Sequence, residues 1–187
     1  MAPTATHRIG WDEYLQLPLT HYEILDGEVN ALPTPLFRHQ KIVSELMIRL
    51  GGQIHRDAKG YLVPAPYDVV IRRAPLRTRQ PDLLFISRER ADQIPDLQNQ
   101  PRIEIAPELV IEVLSPSDTA SEWLEKLRDY HHIGVHEVWA VDPQSASVEV
   151  LRWSEAGWQS LGVFTGDQPI RSEVLGETAI TPAMLFG

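Results

Sequence analysis

The chain is 187 residues long, carries a net charge of −9 and contains no cysteine. That length fits one domain with a substantial core, and the missing thiols exclude disulfide frameworks, thiolate metal sites and cysteine nucleophiles. Hydrophobic residues at 43% and charged residues at 23% argue against disorder, and the longest apolar runs, about six residues, fall far short of the roughly 20 that cross a bilayer.

The start, MAPTATHRIGWDEY, has no apolar signal-peptide core, so the expectation is a cytoplasmic protein with no membrane partner. In chain order, Trp11 to Leu17 reads as a short helix stopped by Pro18. Tyr22 to Leu25 and Glu28 to Leu32 read as two strands joined at Asp26-Gly27, the strongest short hairpin signal. From about Phe37 to Ala58, Val43, Leu46, Leu50 and Ile54 recur at helical spacing behind His39, and Lys59-Gly60 ends the helix. Four β-branched runs follow as strands: Tyr61 to Ala65, Val69 to Arg72, Asp82 to Ser87 and Leu109 to Ser115. Ser115-Pro116-Ser117-Asp118 predicts a helix start, with the helix running to about His132 before Gly134. Strands at Glu137 to Asp142, Ser147 to Trp153 and Trp158 to Phe164 complete the pattern. Helices interleaved with strands in this order suit a mixed α/β sheet with helices on its faces.

The charge is unevenly distributed. Residues 38 to 102 carry twelve Lys/Arg against seven Asp/Glu, while the rest carries five against nineteen. The net charge of −9 opposes phosphate binding, which depends on basic side chains. Arg72, Arg73, Arg77 and Arg79 form the densest basic stretch, and their spacing fits a phosphate-facing loop and a solvated loop equally well.

Glu112 is the sharpest anomaly. The run LVIEVL is apolar on both faces, as in a central strand covered on two sides, yet it holds a carboxylate in its middle. An unpaired buried carboxylate costs several kcal/mol or shifts its pKa strongly, so a metal ion or a buried cation must compensate it. Asp82 is the second anomaly, opening PDLLFIS directly after a proline that a strand tolerates only at its start or edge. Neighbouring strands would bring the two carboxylates together, and hard cations such as Mg²⁺ take one or two protein carboxylates. Lys126 borders the apolar stripe of Trp123, Leu127 and Tyr130. Its ammonium either points at Glu112 or snorkels to solvent along its own methylenes.

The stretches HYEILDGEV, FRHQ, TRQPDLLF, PELVIEVLSPSD, EKLRDY and GVHEVWAVDP, spread over about residues 10 to 153, resemble in order the bacterial Uma-type family of restriction endonucleases, within the PD-(D/E)XK nuclease superfamily. The resemblance implies a restriction-endonuclease-like fold, with a central mixed β-sheet flanked by helices, an N-terminal hairpin and C-terminal antiparallel strands. It implies an endonuclease acting on DNA, with Asp82, Glu112 and the backbone carbonyl of Val113 holding Mg²⁺ or Mn²⁺. The superfamily's lysine position, two residues after the glutamate, is occupied by Leu114, and Lys126 matches the lysine that the Uma-type pattern carries on the next helix. Glu23 and His39 match further recurring positions, and Gln80 stands where an arginine is common. A homodimer is expected because such enzymes cut two strands. Two other readings stand beside this one: a non-catalytic nucleic-acid-binding or interaction module that keeps the fold, and a metal site at His131, His132 and His136, whose spacing matches no standard zinc pattern.

Overall fold

The computed structural model describes residues 7–18 and 21–187. The first helical turn, α1 (Trp11–Tyr14), is followed by the hairpin β1 (Tyr22–Leu25) and β2 (Glu28–Ala31). Asp26 and Gly27 both take positive φ, 55° and 88°, the backbone that a tight two-residue hairpin requires. A Cβ on Gly27 would sit 2.9 Å from Arg8 Cβ, so this position suits glycine for its backbone and for its neighbour.

The long helix expected over 37 to 58 runs without interruption from Phe37 to Arg56, with a π-helical turn in its middle. α2 (Phe37–Leu46) passes into a π-helical turn at Met47–Gly51 and then into α3 (Gly52–Arg56). The reason lies in the spacing of the core residues. Ile42, Leu46, Leu50 and Ile54 are all buried and recur every four residues. On a helix of about 3.6 residues per turn such a stripe drifts by roughly 40° at each step. A wider π turn takes up the drift and keeps Leu50 and Ile54 on the core.

β3 (Gly60–Pro64), β4 (Asp68–Arg73), β5 (Leu76–Arg79) and β6 (Leu83–Ser87) follow, then the short α4 (Arg88–Ala91), β7 (Arg102–Ile103) and β8 (Leu109–Val113). α5 (Ala120–Ile133) begins later than expected. Its N-cap is Thr119, which forms a reciprocal capping box with Glu122, because Ser115 and Asp118 are used in their own turn, Ser115 N–H donating to Asp118 Oδ2 at 2.8 Å. β9 (Glu137–Asp142), β10 (Ser147–Ser154) and β11 (Gly157–Thr165) form a meander. The small β12 (Arg171–Ser172), β13 (Gly176–Glu177) and α6 (Pro182–Phe186) close the chain.

The architecture is mixed α/β, built on two large sheets, with β12 and β13 forming a small third one. Six strands run in the order β11-β10-β9-β8-β6-β3, and five in the order β2-β1-β5-β4-β7. The β8–β9 and β4–β7 pairs are parallel and the other pairs antiparallel. Strand alternation divides the six-stranded sheet into two faces. Leu83, Phe85, Leu109, Ile111, Val113, Trp139 and Val141 pack with α2, the π turn, α3 and the C-terminal residues Ile170, Leu175, Ile180 and Leu185. On the opposite face Val110 and Val138 pack with Leu127 and Tyr130 of α5. Leu84 and Ile86 on that face meet Val69, Ile71 and Ile103 of the five-stranded sheet. No helix among the described residues is long and apolar enough to cross a membrane.

β3 and β6 touch at Gly60, where an added Cβ would lie 2.1 Å from Ile86 O and 2.8 Å from Ser87 Cα. Both obstacles are backbone and cannot swing aside. Gly60→Ala is therefore expected to destabilise the protein by at least the roughly 1–3 kcal/mol of an overpacked core site. Urea unfolding measures it, and an unchanged midpoint would show that β3 separates from β6 without cost.

Candidate active site

The alternation that makes the two faces also aims the carboxylates. Glu112 shares a strand with Val110 and is two residues away from it, so it faces α5, and it is almost wholly buried. β6 pairs antiparallel with β8, Leu83 opposite Ile111, which brings Asp82, immediately before β6, to the same end of the sheet as Glu112. Asp82 Oδ2 accepts from the Val113 backbone N–H at 2.7 Å. It also lies 3.1 Å from His39 Nε2, carried on the first turn of α2. Among the described residues Asp82 Oδ1 has no hydrogen-bond partner.

Glu112 is held from α5. Lys126 Nζ donates to Oε2 at 2.8 Å, and the Tyr130 hydroxyl donates to Oε1. Lys126 and Tyr130 are four residues apart, so they stand one above the other on the helix face that covers β8. Of the two courses open to Lys126, the structure takes the one toward Glu112, while the side chain keeps 24% of its exposure. The side chain thus ends on a buried carboxylate while part of its length stays exposed.

The electrostatics follow from burial and crowding. Burial raises the pKa of Glu112, Asp82's negative charge adds to the rise, and Lys126 and Tyr130 only partly offset it. Burial opposes the charge of Lys126, yet Glu112, Glu23 and Asp82 together outweigh it and push its pKa up. The surroundings thus favour the charge on Lys126, whereas burial opposes the charge on Glu112. The hydrogen bond to Asp82 raises the pKa of His39 against the opposing effect of burial, with the charges of Asp82, Glu112 and Asp118 acting in the same direction as the bond. His39 Nδ1 is buried with no partner among the described residues. Two carboxylates close enough to feel each other's charge, Asp82 with a free oxygen and Glu112 with one further lone pair on each oxygen beyond its bonds to Lys126 and Tyr130, form a donor set that fits a hard divalent cation. No three His, Cys, Asp or Glu side chains among the described residues are grouped as metal ligands. A Mg²⁺-type ion does not need three, since water and phosphate oxygens complete its shell.

Glu23 is buried and engaged on both oxygens, Oε2 by Arg79 Nη1 at 2.7 Å and Oε1 by the Gln80 N–H at 3.2 Å. Its negative charge reaches Lys126 and Tyr130 across that contact. The basic stretch beside it lies on strands, and of its arginines only Arg72 and Arg73 stay part-exposed, at 34% and 59%. Arg77 and Arg79 lie on β5 and are buried, and Asp129 of α5 receives Arg77 Nε at 2.7 Å and Arg79 Nε at 2.6 Å. Arg77 also reaches Glu125 at 2.6 Å, Arg72 pairs with Asp26, and Arg73 pairs with Glu104 at 2.6 Å. Alternation along β5 puts residues 77 and 79 on one face, and buried guanidinium groups must be paired. Sequence reasoning missed Tyr130, which it counted only as apolar stripe, and Asp129. The signal for Asp129 was available: an acidic residue between Leu127 and Tyr130 on a covered helix. The three histidines do not converge on an ion site, and His131 instead stacks on Trp153 with centroids 3.3 Å apart.

A family model described as "Putative restriction endonuclease", Uma2, matches residues 11–183, almost the whole chain. The chain belongs to the Uma2 family. No protein of curated function matches it. Among solved structures it is similar to one described as a "putative nuclease belonging to DUF820" from Anabaena variabilis, with 21% identity over 95% of this chain and 97% of that one and a TM-score of 0.78. At that identity the likeness shows the fold, and the fold of this Uma2 chain is that of the Anabaena protein.

Asp129→Asn would leave two buried guanidinium groups short of a counter-charge. The expected loss is about 3–5 kcal/mol, typical of breaking a buried pair from one side. Chemical denaturation reads it out, and a loss under about 1 kcal/mol, the range of exposed pairs, would show that the cluster does not hold α5 in place.

Proposed function

We propose that the chain is a metal-dependent nuclease that hydrolyses phosphodiester bonds in DNA, with Asp82, Glu112 and the Val113 carbonyl as the ligands of Mg²⁺ or Mn²⁺. The observation that carries this reading is the convergence of Asp82 and Glu112 at one end of neighbouring strands with the Lys126 ammonium on Glu112. Membership of the Uma2 family supports the nuclease class, and the description of the Anabaena protein as a nuclease agrees with it.

When bound, the ion supplies Lewis-acid polarisation of the scissile phosphate and lowers the pKa of its water. The chain's own groups do the rest. Lys126, protonated and partly exposed, holds the attacking water and offsets the negative charge that grows on the phosphate. Tyr130 fixes the Glu112 carboxylate through its hydroxyl, and His39 and the Val113 N–H fix Asp82. Glu23, held by Arg79, keeps the field around Lys126 negative and the ammonium charged. The residue at the superfamily's lysine position, Leu114, can do none of this.

Two measurements test the reading. Millimolar Mn²⁺ is expected to raise the melting temperature relative to a chelator control, since a ligand of the folded state stabilises by about 2.7 kcal/mol at a hundredfold excess over its Kd. Asp82→Asn and Glu112→Gln are expected to erase that shift, and coincident wild-type curves would count against the site.

Cleavage of supercoiled plasmid and of single-stranded DNA at matched metal saturation is expected to slow by about a hundredfold or more in Lys126→Ala. The Mn²⁺ melting shift should persist in that variant. Equal rates would remove Lys126 from the chemistry. The second reading, a module that binds nucleic acid without turnover, is favoured by the net charge of −9 and by the internal pairing of the arginines. Wild-type protein that binds DNA but cleaves neither plasmid, single strands nor RNA would establish it.

A further inference from the structure

Most basic side chains of this protein are met by a carboxylate, as Arg49 is by Glu45, Arg90 by Glu108 and Lys126 by Glu112. Arg38 is not. It is exposed, and it makes no hydrogen bond or ion pair with any described residue. An exposed arginine is ordinary in itself. Its place in the fold is what sets this one apart.

Arg38 stands on the first turn of α2, immediately before His39, whose Nε2 lies 3.1 Å from Asp82 Oδ2. That contact holds the turn against the end of the six-stranded sheet where Asp82 and Glu112 meet. Asp142 locates Arg38 from the other side. Burial opposes the charge of Asp142, yet donors from Ser145 and Gln144 and the positive charge of Arg38 bring its pKa below the usual carboxylate range. Asp142 ends β9, which runs parallel to β8 with Glu112 opposite Ala140 and Val113 opposite Val141. At about 3.3 Å per residue along a strand and about 4.8 Å between strands, its Cα lies about 8 Å from that of Glu112. Arg38 is thus bracketed: its sequence neighbour touches one proposed metal ligand, and its charge is felt one strand over from the other.

The site has little else with which to hold a chain of phosphates. Asp118 adds its negative charge to those of Asp82 and Glu112, and Lys126 is engaged by Glu112. The proposed ion and Lys126 serve the phosphate that reacts, but its neighbours along the strand each bring a further negative charge to acidic walls. A guanidinium with no internal partner offers a planar fork that matches two phosphate oxygens. Arg56 and Arg88 also lack a carboxylate partner among the described residues, but they lie elsewhere. Arg56 ends the same continuous helix, roughly 25 Å from His39. Arg88 follows β6 at the end opposite Asp82.

We propose that Arg38 is the contact for a backbone phosphate of the DNA next to the scissile one. Such a contact sets the position of the strand and carries no base specificity. The inference rests on the nuclease reading and gives it a group that grips the substrate.

The experiment uses the full chain as wild type, Arg38→Ala, Arg38→Lys and Arg56→Ala. Binding of a fluorescein-labelled DNA duplex is followed by anisotropy with Ca²⁺ in place of Mg²⁺, over roughly 50 to 200 mM salt. Arg38→Ala is expected to bind about tenfold more weakly at the lowest salt, as for a lost charged hydrogen bond. Its plot of log affinity against log salt should be shallower by about one, the signature of one lost phosphate contact. Arg38→Lys keeps the charge and should keep the slope, and Arg56→Ala should match the wild type. In plasmid cleavage Arg38→Ala should raise KM by a larger factor than it lowers kcat, because a phosphate that does not react is gripped alike in the ground and transition states. Its melting temperature and its Mn²⁺ melting shift should be those of the wild type.

Wild-type affinity and slope in Arg38→Ala overturn the inference and leave the nuclease reading intact. The same holds if Arg38→Ala loses kcat, melting temperature or the Mn²⁺ shift with its slope unchanged, since Arg38 then acts by supporting α2 and His39. An equal loss of slope in Arg56→Ala also overturns it, because the effect then belongs to net charge and not to the place of Arg38. Wild-type protein that cleaves no DNA overturns the nuclease reading and this inference with it.

Discussion

The clamp of Arg77 and Arg79 on Asp129 is the contact on which the rest of the structure depends. It is the place where the five-stranded sheet, through β5, is fastened to the helix that faces the six-stranded one. Apolar packing along α5 would tolerate small rotations, since dispersion and burial are non-directional. Two guanidinium groups sharing one carboxylate tolerate far less, because their donors form a planar fork with fixed directions. Asp129 sits between Lys126 and Tyr130, so the setting that satisfies the arginines is also the one that delivers an ammonium and a hydroxyl to Glu112. Glu23 joins the same cluster from the hairpin. Three separate pieces of the chain are thereby given a common reference.

Burial of a carboxylate is not in itself a sign of chemistry here, and Glu137 makes the contrast. It is as deeply buried as any side chain in the protein, yet it accepts from Trp139 Nε1 at 2.7 Å, Ser172 Oγ at 2.6 Å and the Glu173 N–H at 2.7 Å. Every donor belongs to the local structure and none is cationic, as befits a group that ties β9 to the C-terminal segment. Glu112 has a lysine, a tyrosine and a second carboxylate within its field. The difference lies in the company each keeps, with Glu112 paired to a part-exposed lysine and Glu137 to neutral donors.

Much of this was legible in the sequence because much of it is local. The Asp26-Gly27 turn and the buried run LVIEVL are fixed by neighbours a few residues away and stand within a residue or two of where the pattern put them, while the helix after them starts later, at Ala120. The oddness of Glu112 was visible for the same reason: one charged residue broke an apolar run. What escaped depends on distant partners. β5 read as a basic loop because its arginines look solvated until Asp129, 50 residues downstream, is placed against them. Tyr130 counted as apolar because nothing in the helix itself says that its hydroxyl will meet Glu112. The π turn is subtler, since a four-residue stripe is close enough to helical period to pass for one until the drift accumulates over three repeats.

The C-terminal segment has a bearing on the order in which the chain comes off the ribosome. Every residue gathered at the site, from Glu23 to Tyr130, is made before the stretch that carries Ile170, Leu175, Ile180 and Leu185. Those late residues form the floor beneath α2 and the π turn, and α2 is the helix that holds His39 on Asp82. A nascent chain stopped short of residue 170 therefore carries the acidic and basic groups gathered at the site but lacks the support that presents His39. The brace behind the helix that carries His39 is thus made later than every group it helps to place.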